Sequence, residues 1–279
     1  MTSQAMTIHN PSFRKYLDHG FVGLVDSMGS DESIEAAARL SYGRGTRSKN
    51  DTRNLIRYLV RHRHTSPLEM GELIFHIKLP IFVMRQLVRH RTASLNEYSG
   101  RYSEMVDDFY VPPEARIQSQ SSSNKQGSGD ALSVDLQCQI QDRIRVHNEN
   151  SYQIYEQSLD DGLSRELARI TLPVSNYTEV YWKCDLNNFF KMLQLRMDPH
   201  AQQEIVELAN LMYLLAKEKF PICFEAFDDY VLDGCHFSRM EMKLLRSMLR
   251  EESTEQMSGI EAGLSAREVD EFKAKLKRR

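Results

Sequence analysis

One segment in the first third of the chain changes its hydrophobic period abruptly, and this change restricts the folds that the chain can adopt. Its apolar residues first alternate with others, as in a strand with one face in the core: Leu73, Phe75, Ile77 and Leu79. Pro80 ends that strand, and residues 80–91 continue with a helical period. Val83, Met84, Leu87 and Val88 would lie on one side of this helix, and Arg85, Gln86, Arg89 and His90 on the other. The sequence therefore predicts a strand followed at once by a helix whose polar side is mostly cationic.

Further strands and helices are predicted around this unit. Residues 21–28 and 177–183 have the composition of strands, and Asp31 opens an alanine-rich helix. A second helix is expected over residues 54–63. A longer one is expected through residues 140–159, with Gly162 as its stop.

Polar residues mark where other predicted helices begin. Ser66 and Glu69 have the spacing of a capping box. Asp185 is placed to cap a helix that carries Arg196, and Asp198 is placed to start the next one. The apolar stripes of these last two helices are interpreted as core: Phe189, Leu193, Ile205, Leu208, Met212 and Leu215.

The composition limits the kinds of partner. The chain has 279 residues, 41% of them hydrophobic, and a formal net charge of -3. This balance argues against a general binder of nucleic acids or anionic membranes, so any basic surface must be local. The four cysteines are far apart and form no Cys-x-x-Cys pair, which disfavours a zinc knuckle and fits a reducing cytoplasm. No apolar run approaches the roughly 20 residues of a membrane span, and no signal peptide is recognised.

Two segments are predicted to lie outside the packed core. Residues 117–130 are rich in Ser, Gln and Gly, which is typical of a mobile loop, a lid or a linker. From Glu251 onward the chain is charged, and Ser265 and Glu268 have the spacing of a cap for a final surface helix. The sequence contains neither the glycine fingerprint of a Rossmann site nor a Walker loop.

The strongest local charge begins in the cationic helix. Between Arg85 and Arg101 there are four arginines and one acidic residue, Glu97, a local charge of about +3. Arginine binds phosphate oxygens in a bidentate way and stacks on aromatic rings. A loop expected after the helix would add hydroxyls, an amide and a close-approach backbone from Ser94, Asn96, Ser99 and Gly100. A solvated helix face would explain the first arginines alone, but not the whole run.

Residues 89–102, RHRTASLNEYSGRY, resemble the signature motif of the flavin-dependent thymidylate synthases. That motif is RHR, two residues, S, one residue, N, two residues, S, one residue, RY, and this chain fills all eight fixed positions. The segments 21–25, 80–83, 169–173, 195–202 and 224–227 also resemble the family. A chance match to so many positions is very rare, so the motif is highly specific.

The resemblance implies an α+β fold with mixed helices and a central, mostly antiparallel sheet. It also implies a homotetramer whose active sites use residues from more than one subunit. Residues 1–236 would form the catalytic domain that binds flavin and deoxyuridylate (dUMP), and residues 237–279 a charged helical extension. The implied reaction is the reductive methylation of dUMP to thymidylate (dTMP), with 5,10-methylenetetrahydrofolate as carbon donor and NADPH-reduced FAD as hydride source.

The same resemblance assigns the nucleotide site. The positions that would bind dUMP are Gln86, Leu87, Val88, Arg89, Glu97, Tyr98, Ser99, Gly100, Arg101, Arg169 and Arg196. Arg169 would come from a neighbouring subunit. Arg196 would be the catalytic arginine, which stabilises the uracil anion that forms when carbon 5 becomes nucleophilic. A surface ion pair of Arg196 with Asp198 or Glu204 is the alternative.

Flavin contacts are implied at a second, overlapping set of positions. These are His64, Ser66, Glu69, Arg89, His90, Arg91, Asn96, Glu97, Asp185, Leu186, Asn187 and Lys191. Asp185, Asn187 and Lys191 stand where some relatives have Asn, Arg and Asn.

Other functions would use these residues differently. A nucleotide- or RNA-binding protein without catalysis would need the arginines only for phosphates, and a plain flavin reductase would lack the dUMP step. Ser94 or Ser99 near His90 suggests a nucleophile, but Ser99 is better explained as a hydrogen-bond donor to phosphate. No cysteine is required when reduced flavin supplies the hydride. His62 and His64 are two residues apart, a spacing that does not favour a metal site on a helix.

Overall fold

The computed structural model describes residues 12–41, 52–122, 127–248 and 264–277. Within these ranges the strands are β1 (Phe13–Tyr16), β2 (Gly20–Met28), β3 (Glu72–Pro80), β4 (Ser94–Glu97), β5 (Gln118–Gln120), β6 (Ser128–Ala131) and β7 (Tyr177–Asp185). The α-helices are α1 (Asp31–Leu40), α2 (Thr52–Arg61), α3 (Ile81–Leu87), α4 (Val134–Asp160), α5 (Arg165–Ala168), α6 (Leu186–Arg196), α7 (Gln203–Lys217), α8 (Pro221–Phe227), α9 (Arg239–Met248) and α10 (Ala266–Lys277). A short 3-10 helix covers Ser66–Met70.

Five strands form one antiparallel sheet in the order β1-β2-β3-β7-β4, and β5 pairs with β6 separately. At its centre β3 pairs with β7 along its whole length, from Glu72 opposite Asp185 to Pro80 opposite Tyr177. The alternation predicted β3 correctly because its apolar positions share one buried face: Leu73, Phe75, Ile77 and Leu79. The predicted α+β fold with a central antiparallel sheet is confirmed.

The core lies between this sheet and helices α6, α7 and α8. Phe75 stacks on Phe189 of α6 with ring centroids 5.5 Å apart, and Trp182 of β7 lies 6.3 Å from the same Phe189 ring. The predicted apolar stripe of α7 is also buried: Ile205, Leu208, Met212 and Leu215. Each side chain of this size contributes about 1.5–3 kcal/mol when buried. The packing therefore fixes α6 and α7, and with them Arg196, relative to the sheet.

Helix α3 is shorter than predicted, and the chain after it joins the sheet. The helix ends at Leu87 rather than near residue 91, and Val88 is exposed instead of packed. Its end is closed by i→i−3 hydrogen bonds, including His90 N–H to the Leu87 carbonyl at 3.1 Å. Ser94 and Asn96, predicted in a loop, lie in β4, which pairs with the outer side of β7.

The start of α7 was predicted wrongly. Asp198 does not begin a helix, because its carboxylate accepts the backbone N–H of His200 at 2.7 Å. Such a local turn competes with helical hydrogen bonding. Helix α7 begins later, at Gln203.

The predicted capping box at Ser66 is also wrong. The N-cap of the 3-10 helix is Thr65, which makes no side-chain cap bond. The carboxylate of Glu69 instead accepts a hydrogen bond from Asn187 Nδ2 at 3.1 Å. This contact joins the 3-10 helix to α6.

Other predicted helix ends are confirmed. Asp185 caps α6, since its Oδ1 accepts the N–H of Asn188 at 2.9 Å. Gly162 follows the end of α4 with a φ of 87°, a conformation that favours glycine. Ser265 N–H donates to Glu268 Oε2 at 2.8 Å, the capping box predicted for the last helix.

The segment predicted as a mobile loop, residues 117–130, contains β5 and all but the last residue of β6, and these two strands pair with each other. Residues 123–126 and residues 249–263 lie outside the described part of the chain.

The chain divides into two compact units, Met1–Leu232 and Asp233–Arg279. The five-stranded sheet and helices α1 to α8 belong to the first, and α9 and α10 belong to the second. The predicted division at residue 236, with a function for each part, stays a prediction. Among the described helices, none combines the length and the apolar character that a membrane crossing requires.

Candidate active site

The cationic residues lie where α3 ends and the chain turns toward β4. Arg85, Arg89 and Arg91 are exposed. In the described part of the chain, none of these three has an acidic partner within ion-pairing distance. Burial of Val83, Met84 and Leu87 on the other side of α3 holds Arg85 outward, and Arg89 and Arg91 follow the end of the helix. The end of α3 and the turn after it therefore carry exposed positive charge that no acidic side chain of the described residues neutralises.

The Arg196 cluster consists of Arg196, Gln86, Arg89 and His90. Arg196 is at the end of α6, and its Nε donates to His90 Nε2 at 3.0 Å. Its terminal nitrogens donate to Gln86, one to the side-chain oxygen at 3.5 Å and one to the backbone carbonyl at 3.2 Å. Gln86 lies in the last turn of α3, whose carbonyl end attracts a cation. Three hydrogen bonds, two to Gln86 and one to His90, thus fix the guanidinium of Arg196.

The electrostatics of this cluster keep His90 neutral. Burial, and then the charge of Arg196, lower the pKa of His90 from 6.5 to about 4. A neutral Nε2 can accept the hydrogen bond that Arg196 donates. Burial, and then the charge of Arg89, also lower the pKa of Arg196. Repulsion between the two arginines makes the cluster a favourable place for an anion.

The surface ion pairs considered for Arg196 are not formed. Asp198 contacts His200, with 2.9 Å between Oδ1 and Nδ1. Glu204 is buried and binds Arg116 at 2.8 Å. The side-chain hydrogen bonds of Arg196 are therefore made with Gln86 and His90.

Strand β4 carries the middle of the arginine-rich motif along the edge of the sheet. Asn96 lies opposite Tyr181, and Glu97 lies opposite Val180. The Glu97 carboxylate accepts a hydrogen bond from Thr178 Oγ1 at 2.9 Å. Tyr98 is anchored just after the strand, because its hydroxyl donates to the Glu104 carbonyl at 2.6 Å. The pairing with β7 fixes the direction in which the chain enters the next turn.

The Arg101 cluster consists of Ser99, Gly100, Arg101, Glu166 and Arg169. Arg101 forms an ion pair with Glu166 at 2.8 Å, and both side chains are more than half exposed. Arg169 lies beside Gly100, since a Cβ added to this glycine would be 3.2 Å from Arg169 Cδ and 2.8 Å from Met105 Sδ. The Ser99 hydroxyl accepts the Arg101 N–H at 3.3 Å. The turn after β4 therefore brings Arg101 and Arg169 close to the backbone of Gly100.

The Asn187 cluster consists of Ser66, Glu69, Asp185, Asn187 and Lys191. The buried Asn187 donates to Glu69, which links the 3-10 helix to the first turn of α6. Asp185 is occupied as the helix cap. Ser66 and Lys191 are exposed. Two segments far apart in sequence, both predicted to contact flavin, are thus adjacent.

These clusters contain most of the predicted site residues but not in a single group. Within the described residues, no hydrogen bond or ion pair joins the Arg196 cluster to the Arg101 cluster. The side chains of Leu87 and Leu186 are fully buried, so only their backbones could meet a ligand. His64 is exposed at the end of α2, with its ring 5.6 Å from the Tyr58 ring.

Three residues near these clusters were not predicted. Glu166 pairs with Arg101, and Thr178 binds Glu97. Gln202 accepts a hydrogen bond from Gln86 Nε2. Gln202 lies in the family-like segment 195–202, which was its only signal in the sequence.

The alternative chemistries find little support among the described residues. Burial raises the pKa of the Cys184 and Cys223 thiols, which disfavours the reactive thiolate. The His62 and His64 rings are 6.3 Å apart, and no group of three or more His, Cys, Asp or Glu in the described ranges is arranged to hold a metal ion.

Comparison with known proteins identifies the family. A family profile described as thymidylate synthase complementing protein matches residues 23–222. The flavin-dependent thymidylate synthase of Wolbachia pipientis wMel is 46% identical over 239 residues, 86% of this chain and 84% of the relative. That of Treponema denticola is 45% identical over 264 residues, 94% of this chain and 96% of the relative.

A solved structure agrees with these relatives. It is the UMP/dUMP methylase PolB from Streptomyces cacaoi bound with 5-Br UMP, with a TM-score of 0.71 and 36% identity. The match covers 78% of this chain and 97% of that chain. With the complete arginine-rich motif in the segment that follows α3 and contains β4, these similarities establish that the chain belongs to the flavin-dependent thymidylate synthase family.

Proposed function

We propose that this protein converts dUMP to dTMP by reductive methylation. In the proposed reaction, 5,10-methylenetetrahydrofolate gives the one-carbon unit, NADPH gives the hydride through FAD, and carbon 5 of the uracil loses a proton. The products are dTMP, tetrahydrofolate and NADP⁺. The single observation that carries the proposal is the half-buried Arg196, held at 3.0 Å by a neutral His90 beside the exposed Arg89.

Arg196 is proposed to bind the uracil ring. A guanidinium has five N–H donors, and three of those on Arg196 are directed at His90 and Gln86. One N–H on each terminal nitrogen is left for a uracil carbonyl and, in the anionic form of the ring, for the adjacent ring nitrogen. As carbon 5 becomes nucleophilic, negative charge develops on this edge of the ring, where a preorganised donor lowers the barrier by about 3–4 kcal/mol.

The phosphate of dUMP is proposed to bind at the Arg101 cluster. An exposed ion pair such as Arg101–Glu166 is worth only about 0–1 kcal/mol, so a phosphate dianion can replace the carboxylate. Arg169 stands beside Gly100 in the same chain, although the family resemblance assigned it to a neighbouring subunit. We therefore propose that Ser99 to Arg101 and Arg169 of one chain face the Arg196 cluster of a second chain within a homotetramer.

FAD is proposed to lie along the Asn187 cluster and the exposed arginines that follow α3. When bound, the flavin supplies the hydride that completes the methyl group. This chain offers the exposed Arg89 and Arg91 for the flavin phosphates, with His64, Ser66 and Asn96 as further polar contacts. The Glu69–Asn187 hydrogen bond holds the two flavin segments together. These groups fit an anionic, aromatic cofactor, and the free cysteines fit a cytoplasmic site of action.

UMP is a second candidate substrate. The structurally similar PolB is described as a UMP/dUMP methylase and was solved with 5-Br UMP and with 5-Br dUMP. The two nucleotides differ by the ribose 2′-hydroxyl. We place dUMP first because the relatives compared by sequence are thymidylate synthases.

Tritium release tests the proposal directly. The purified protein should be yellow, and NADPH should bleach it in the absence of oxygen. With methylenetetrahydrofolate present, tritium should leave carbon 5 of labelled dUMP, and a parallel reaction with labelled UMP measures the competing substrate. A nucleotide-binding protein without catalysis would be colourless, and a plain flavin reductase would bleach without any release.

Two arginine variants test whether Arg196 is the catalytic group. Arg196→Ala should abolish tritium release while the protein still binds flavin. The matched control is Arg145→Ala on the exposed side of α4, which should release tritium at the wild-type rate. Wild-type release from Arg196→Ala would remove this residue from the catalytic role.

A further inference from the structure

A chain of polar side chains extends from the Arg196 cluster to a buried ion pair on α7. Its far end is Glu204, which is only 3% exposed. Arg116 donates to the Glu204 carboxylate from Nε at 2.8 Å and from a terminal nitrogen at 3.3 Å, and the Tyr110 hydroxyl lies 3.2 Å from Oε1. Burial alone would raise the pKa of Glu204, but Arg116 and the other hydrogen bonds outweigh it, and the pKa lies below its usual value. Glu204 is thus a fixed, ionised acceptor.

Gln202 lies between this carboxylate and the Arg196 cluster. Its side chain lines the same cavity as Glu204 and Arg116, and its interaction with Glu204 favours the ionised carboxylate. Its Oε1 accepts from Gln86 Nε2. Gln86 in turn directs its own Oε1 and its backbone carbonyl toward Arg196. The order along the chain is therefore Glu204, Gln202, Gln86, Arg196.

The two ends of this chain determine the orientation of both amides. A carboxylate only accepts hydrogen bonds, and a guanidinium only donates them, whereas an amide has one end of each kind. Glu204 therefore requires the NH₂ group of Gln202, which leaves the Gln202 oxygen for Gln86. Gln86 must then turn its NH₂ group to Gln202 and its oxygen to Arg196. If either amide rotated by half a turn, two donors or two acceptors would face each other, and this mismatch disfavours the rotated orientation.

We propose that Gln202 is a positioning residue, which transmits the orientation of the Glu204–Arg116 pair through Gln86 to the guanidinium of Arg196. This inference rests on the proposed function, since it concerns how Arg196 is aimed at the uracil ring. Gln202 does not need to contact the nucleotide. Without it, the Gln86 amide can rotate, and Arg196 loses one of its three fixed contacts.

The first test is the kinetic effect of Gln202→Leu, with Gln202→Met as a second variant of similar size. The value of kcat for tritium release should fall about tenfold, which corresponds to about 1.4 kcal/mol. The flavin content, the rate of anaerobic bleaching by NADPH and the melting temperature should stay at wild-type values. The matched control is Gln203→Leu, because Gln203 is the next residue and binds Glu207 rather than Gln86. That control should keep wild-type kcat.

A double-mutant cycle separates positioning from a general structural effect. If Gln202 acts through Gln86, then Gln202→Leu should change kcat by less than twofold when Gln86→Leu is already present. Equal effects of Gln202→Leu in both backgrounds, or wild-type kcat in both Gln202 variants, would overturn the inference. A wild-type protein that releases no tritium would instead refute the proposed function, so the two failures can be told apart.

Discussion

The neutral His90 leads to a quantitative prediction about stability and pH. Its pKa is about 4 in the folded chain, compared with about 6.5 for an unperturbed histidine. Between these two values the unfolded chain binds a proton that the folded chain does not. The free energy of unfolding should therefore be fully retained above about pH 6.5 and should fall as the pH drops toward 4.

The size of this effect follows from the shift and from the exposure of the ring. Each pKa unit corresponds to about 1.4 kcal/mol, which sets an upper limit of roughly 3.5 kcal/mol. His90 is only about half buried, and solvent screening reduces the expected contribution to about 1–2 kcal/mol. The variant His90→Gln removes the titrating group while keeping an acceptor for Arg196.

Urea unfolding at pH 7.5 and at about pH 4.5 measures this contribution. The single tryptophan, Trp182, is 1% exposed and reports unfolding by fluorescence. Between the two pH values, the wild type should lose about 1–2 kcal/mol more stability than His90→Gln. Carboxylates such as Glu204 and Glu225 also lose stabilising interactions in acid, but they do so equally in both proteins. The variant His200→Gln, at an exposed histidine, serves as the control. If the free energy of unfolding depended on pH identically in the wild type and in His90→Gln, the reasoning would be refuted.

Three further predictions concern the core, the Arg101 cluster and the cysteines. Phe75→Ala should lower the free energy of unfolding by about 3–5 kcal/mol in urea titrations, because Phe75 is fully buried against Phe189. Gly100→Ala should raise the KM for dUMP and leave NADPH-driven bleaching unchanged, because the new Cβ would displace Arg169 and Met105; an unchanged KM would contradict the phosphate role. A thiol reagent should modify Cys138 and Cys235 quickly in the native protein, and Cys184 and Cys223 only after unfolding, since the first two are exposed and the others buried.

The sheet and the main helices could be predicted because their signals are local. The alternation in β3, the stripe on α7 and the caps at Asp185 and Ser265 depend on residues within a few positions of one another. The wrong boundaries have long-range or competing causes. Glu69 is directed to Asn187, more than a hundred positions away along the chain, rather than to the Ser66 backbone. Strand β4 was missed because its four residues are all exposed and are ordered by pairing with β7.

The site could be predicted as a set of residues but not as an arrangement. The motif located Arg89 to Arg101 and, through family resemblance, Arg196. It could not indicate that His90 accepts a hydrogen bond from Arg196, since that contact depends on how the ends of α3 and α6 pack. Gln202 and Glu166 were not predicted for the same reason, as each acts through a partner distant in sequence.

In the folded chain alone, the positive charge of the Arg196 cluster and of the Arg101 cluster is not fully neutralised. Arg89 lies close enough to Arg196 to lower its pKa, and in the described part of the chain no acidic side chain lies against either residue. Like charges held in this way raise the free energy of the ligand-free protein, and a bound anion relieves the repulsion. The Arg101 cluster carries its own counter-charge, Glu166, on an exposed and weak ion pair. A nucleotide phosphate that displaces Glu166, together with a uracil anion that forms beside Arg196, would neutralise both clusters at once. Such a site would favour the nucleotide over the uncharged nucleoside, because only the nucleotide supplies negative charge at both the Arg101 cluster and the Arg196 cluster.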